Sequence, residues 1–178
     1  MKKLFSEPLV KFLLYGFSLY LIWLGLYEWW LHPSGVIDRV VISNTLFFSQ
    51  RILEWMGYVV VRGGERSMYI NGISGLFIGD SCNGISLFAL FSIFIVAFPG
   101  KPVAKLFFIP VGVLLIHLLN IFRVVSLAII QNYSQKCMEF NHTYTFTIVI
   151  YCCIFALWMI WINKFSGINA KRKITKEG

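Results

Sequence analysis

The amino-acid sequence predicts an all-α integral membrane protein: about four transmembrane helices, an interfacial amphipathic helix and a small extracytoplasmic β-hairpin. Three observations carry that prediction. Of the 178 residues, 58% are hydrophobic and 17% aromatic against 13% charged, whereas a soluble domain is about 45–50% apolar. Mean hydropathy is +0.73. The apolar residues gather into runs separated by short stretches rich in Gly, Pro and basic residues, and the longest runs can cross about 30 Å of hydrocarbon. The whole of 1–178 reads as one membrane-embedded domain with a core at about 68–162 and a basic cytoplasmic tail at 164–178.

Taken in order, the run 9–31 follows Met1-Lys2-Lys3 and is closed by no small-x-small cleavage site, so it is a first transmembrane helix rather than a signal peptide. Trp23, Tyr27, Trp29 and Trp30 gather at its far end as an interfacial belt would. The segment 36–61 carries Asp38, Arg39, Gln50, Arg51 and Glu54, while Ile37, Val41, Phe48, Ile52, Trp55 and Val59 recur at near-helical spacing. Charges in mid-membrane are expensive, which favours an amphipathic helix lying in the interface over a span. Asn71-Gly72 between short β-prone stretches signals a hairpin within 62–78.

A second span at about 84–98 is short for a crossing of about 20 residues, so the preceding turn or bilayer thinning makes up the difference. After a turn carrying Lys101 and Lys105, a third span continues through Pro110 to 130, with His117, Asn120 and Arg123 as its polar interruptions. A polar loop at 131–141 leads to the fourth span, 142–162. Four spans put both termini on one side. With that side cytoplasmic, ten of the 16 lysines and arginines lie inside, as the positive-inside rule requires. The same rule explains the net charge of +8, and no basic face with interleaved aromatics stands apart from the spans. The partner this composition indicates is the lipid bilayer, not nucleic acid.

The chemistry centres on Gly79-Asp80-Ser81-Cys82-Asn83-Gly84-Ile85. Glycines permit a tight turn, and Asp80 and Ser81 are helix-capping types, which places Cys82 at or near the first turn of the following helix. Amide N–H groups at such a terminus favour the thiolate, the nucleophilic form of cysteine. The other cysteines form no Cys-x-x-Cys pair, which argues against a thioredoxin-like couple and a zinc knuckle. Cys152 and Cys153 lie in an apolar run as filler, and Cys137 lies in the polar loop.

Counting along the spans puts Cys82, Arg123 and His142 at one membrane depth although 41 and 19 positions separate them. A thiol, a guanidinium and an imidazole suit acyl transfer: Cys82 attacks a carbonyl, His142 acts as base and then protonates the leaving amine, and Arg123 stabilises the oxyanion. Asn120, one turn before Arg123, is placed to hold the guanidinium or the substrate backbone. His117 competes for the base role, but its depth favours a buried structural histidine. No metal or cofactor enters this reading. Two rival readings are a non-catalytic membrane assembly or export partner, and a thiol-disulfide oxidoreductase pairing Cys82 with Cys137; the latter leaves Arg123 and His142 without a task.

In Cys82-Asn83-Gly84-Ile85, Asn120-Ile121-Phe122-Arg123 and Phe140-Asn141-His142, in that order and with spans between them, the chain resembles the exosortase/archaeosortase family of membrane cysteine transpeptidases, in its compact form. The resemblance covers 68–162. It implies that Cys82, Arg123 and His142 match the family's catalytic triad, with Asn120, Asn83 and Gly84 in support. It further implies substrates that are exported proteins with a short C-terminal sorting signal, a transmembrane helix and a basic tail. They would be cut on the outer side of the cytoplasmic membrane, and the acyl group passed to an acceptor amine or another nucleophile. Asn83 stands where serine or threonine is common, so an altered substrate preference is expected. His142 is followed by Thr143-Tyr144 and not by the glycine-rich stretch of some members.

Overall fold

The computed structural model describes residues 8–72, 74–79 and 82–166. The N-terminal lysines and most of the basic tail, both used above to orient the chain, lie outside the described residues.

Helix α1, Pro8–Leu26, continues through a π turn, Tyr27–Leu31, into a last short turn α2, His32–Ser34. After Gly35 comes α3, Val36–Trp55, and then three strands, β1 Val60–Arg62, β2 Ser67–Ile70 and β3 Ser74–Phe77. Four helices follow: α4 Ile85–Ala97, α5 Pro102–Tyr133, α6 Gln135–Phe140 and, beyond a π turn at Asn141–Thr145, α7 Phe146–Lys164.

Among the described residues, three rods are long and apolar enough to cross a membrane: Val10–Ser34, Pro102–Tyr133 and Gln135–Lys164. Helix α4 is apolar but has only 13 residues, about 20 Å at ~1.5 Å per residue. It packs between the long ones all the same. Phe12 of α1 meets Phe94 of α4 and Phe98 just beyond its end with ring centroids 5.5 and 5.3 Å apart, and Phe108 of α5 meets Trp161 of α7 at 5.1 Å. A core of Phe91, Ile95, Ile116, Ile150, Ile154 and Trp161 joins α4, α5 and α7. Because early residues of α1 and α5 meet late residues of α4 and α7, the four helices run alternately in opposite directions.

Several local expectations need correction. The segment 131–141 is not a loop. With 32 residues, α5 is about 48 Å long, well beyond the hydrocarbon thickness, so its polar last turns decorate a projecting helix. The chain then bends only at Ser134, whose Oγ accepts from the Cys137 N–H at 3.4 Å and caps α6.

The helix within 36–61 ends at Trp55, earlier than expected. Gly57, at φ +91, closes it: the Tyr58 N–H donates to Leu53 O and the Gly57 N–H to Glu54 O, each at 3.0 Å, which is the Schellman pattern. Val60 and Val61 are thereby released to form β1, so the expected hairpin is a three-stranded antiparallel sheet in the order β1-β2-β3. The hairpin turn itself falls at Asn71-Gly72, with φ of 52° and 73°, the signs of a type I′ turn.

Helix α3 also buries a stripe against the protein that its apolar periodicity does not mark. Trp55, Val59 and Phe48 are exposed, whereas Asp38, Ile42, Thr45, Leu46, Ser49 and Leu53 are buried. The reason is α5, on which α3 packs: Ile42, Leu46 and Leu53 join Ile121, Val124, Val125, Leu127 and Ala128 of α5 and the inward residues of the sheet in a second core. Gln131 Nε2 ties the sheet to the end of α5 by donating to Gly75 O at 3.2 Å. Cys82 packs against this second core.

Candidate active site

The Cys82 N–H donates to Gly79 O at 2.9 Å, so the thiol sits on a tight turn. Helix α4 begins only at Ile85, because Gly84 has φ +85, a conformation that L side chains rarely adopt. Cys82 therefore precedes the helix by three residues, near its first turn rather than in it. Asp80 and Ser81, expected as caps, lie outside the described residues. The first helical N–H, that of Ile85, is met instead by Asn83 Oδ1 at 2.9 Å.

Two elements bring the partners to the thiol. His142 lies in the π turn between α6 and α7, where the Phe146 N–H reaches back five residues to Asn141 O. Its Nε2 is 3.2 Å from Cys82 Sγ. Arg123, from the C-terminal half of α5, donates from Nη2 to the same sulfur at 3.9 Å. The three side chains share the wall of a cavity of about 390 Å³, completed by Ser86 and Leu87 of α4 and Thr147, Ile150 and Tyr151 of α7. A half-buried thiol is thus held between a group able to take its proton and a fixed positive charge.

The remaining residues singled out in the sequence take other places. His117 bonds to α3, its Nε2 lying 2.8 Å from Asn44 Oδ1, with its ring against Phe88. Asn120 is 1% exposed; its Nδ2 donates to Cys82 O at 3.4 Å and Asn83 O at 3.3 Å. It holds the backbone of the nucleophile turn. Asn83 is 2% exposed and does not line the cavity. Its amide donates to Asp38 Oδ1.

Asp38 and Tyr27 are the residues that sequence reasoning missed. Tyr27 Oη donates to Asp38 Oδ1 at 2.7 Å, and Asp38 is 1% exposed. Grouped with the other charges of 36–61, Asp38 looked like part of a solvated face. Its spacing gave the signal: it falls one turn before Ile42 on the stripe that α3 buries.

Three long apolar rods and a thiol in contact with an imidazole and a guanidinium define a membrane protein carrying the side chains that nucleophilic cysteine chemistry uses. The family model described as transmembrane exosortase (Exosortase_EpsH) matches residues 11–161, and the chain belongs to that family. Exosortases are in general membrane cysteine transpeptidases, which is the broad role that membership gives this protein. No curated protein and no solved structure matches the chain.

Proposed function

We propose that this protein cleaves C-terminal sorting signals from exported proteins and transfers the acyl group to an acceptor, with Cys82 as nucleophile, His142 as acid-base and Arg123 as oxyanion stabiliser. The observation that carries the reading is the placement of Cys82 Sγ 3.2 Å from His142 Nε2 and 3.9 Å from Arg123 Nη2, within reach for proton transfer and charge stabilisation. His142 takes the thiol proton as the sulfur bonds to the carbonyl carbon of the scissile amide. The guanidinium holds the resulting oxyanion. When the intermediate collapses, the C–N bond breaks, His142 returns its proton to the leaving amine, and the acyl group stays on Cys82 as a thioester. An acceptor amine or another nucleophile then attacks the thioester and frees the thiol. No step needs a cofactor.

The substrates are proteins whose signal is followed by a transmembrane helix and a basic tail, processed on the outer side of the cytoplasmic membrane. That location agrees with Lys11, Lys101, Lys105 and Lys164 lying at the end of the bundle away from Cys82. The test compares the C-termini of exported proteins in cells carrying the wild type and cells carrying Cys82→Ala at equal expression. Proteins with a C-terminal helix and basic tail should stay uncleaved only in the variant. Identical C-termini in both would remove Cys82 as a processing nucleophile and leave a membrane assembly role.

A further inference from the structure

From the buried carboxylate of Asp38 we infer that this residue is a positioning residue for the nucleophile, acting through Asn83; the inference deepens the thiol–imidazole reading above and rests on it. Asp38 belongs to none of the motifs that mark the family in this chain and lies 44 positions before Cys82. It touches neither the thiol nor the cavity. Its Oδ1 accepts from Tyr27 Oη at 2.7 Å and from Asn83 Nδ2. Asn83 in turn spends its own oxygen on the Ile85 N–H. The residue next to Cys82 is thereby pinned at both ends of its side chain, to α3 on one side and to the start of α4 on the other.

The opposite flank of the same turn is held by Asn120, through the carbonyls of Cys82 and Asn83. A turn gripped from two helices has little freedom, and freedom is what the sulfur must lack. A thiol that drifts by an ångström loses its hydrogen-bond reach to an imidazole. A carboxylate is a costly group to bury, and only one oxygen of Asp38 is used; Oδ2 has no hydrogen-bond partner among the described residues. What the carboxylate adds is a strong acceptor that aligns two donors, one from the π turn of the first rod and one from the nucleophile turn.

The test is a coupling measurement between two residues that do not touch. With Cys137, Cys152 and Cys153 replaced by serine, the rate of Cys82 alkylation by N-ethylmaleimide at neutral pH is measured in the full-length protein in detergent. His142 and His142→Ala are compared in three backgrounds: Asp38, Asp38→Ala and Asp38→Asn. With Asp38 present, loss of His142 should slow alkylation at least tenfold. In Asp38→Ala the same loss should change the rate less than twofold, because the thiol no longer meets the imidazole. In Asp38→Asn, which keeps an acceptor oxygen, most of the tenfold ratio should return. A tenfold ratio that persists in Asp38→Ala overturns the positioning role and leaves the thiol–imidazole pair standing. A ratio of one with Asp38 intact overturns the pair itself, and the positioning role with it. Should Asp38→Ala fail to fold, Asn83→Ala, which removes the amide that reaches Asp38, takes its place with the same outcomes.

Discussion

Arg123 and lysine differ in the feature that the proposed chemistry uses. A guanidinium offers a planar fork of donors, so one N–H can face the sulfur while another faces an oxyanion, whereas an ammonium is a point charge on a flexible stem. Arg123→Lys should therefore fold and bind substrate but lose about 10²–10³ in turnover, the loss typical of a missing oxyanion donor. Turnover near that of the wild type, measured on a substrate that accumulates in Cys82→Ala cells, would rule out the oxyanion role. At this scale much was legible. Cys82, Arg123 and His142 each interrupt or border an apolar run, where a polar residue is expensive and calls for a reason. The link of Asp38 and Tyr27 to Asn83 escaped notice because their task depends on one another: a donor and an acceptor on three different elements have no meaning until those elements are packed.

At the scale of the element, the start of α4 is where local conformation and chemistry meet. Gly84 stands at φ +85, and a Cβ there would lie 3.5 Å from Asn120 Nδ2. Gly84→Ala should lower stability by about 1–2 kcal/mol, the cost of a left-handed L residue, since the added Cβ meets its neighbours only at ordinary van der Waals distance. Unfolding by denaturant in detergent reads this effect. An unchanged midpoint would show that the turn relaxes without cost. The two π turns serve the same end of the molecule. Each adds a residue to one helical turn, which re-aims the side chains there: Tyr27 is turned toward Asp38 and His142 toward Cys82. No sequence pattern announced either. The end of α3, by contrast, was encoded locally in Gly57, and the hairpin turn in Asn71-Gly72.

For the whole molecule, the alternating directions of α1, α4, α5 and α7 gather Tyr27, Asn83, Asn120, Arg123 and His142 at one end and Phe12, Phe98, Phe108 and Trp161 at the other. If all four helices cross, both termini share a side. Fusion of a reporter that folds only in the cytoplasm should then be active at either terminus, and a reporter active only outside the cytoplasm should be silent at both. Opposite results at the two termini would mean that the 13-residue α4 does not cross. Its shortness is compatible with packing inside the bundle, where neighbours rather than lipid cover its ends.

Composition and run length by themselves determined that the chain lives in a membrane, and the order of polar interruptions along the runs determined which residues could share a depth. Those properties follow from hydrocarbon thickness and helical rise, which act on each segment separately. Tertiary structure alone decided which face of α3 is buried, how far α5 projects, where Cys82 sits relative to α4, and that a carboxylate from the N-terminal third steadies its turn. These depend on what packs against what. Periodicity marks that a helix has two faces, but the neighbour chooses between them, and here α5 chose the face that carries Asp38.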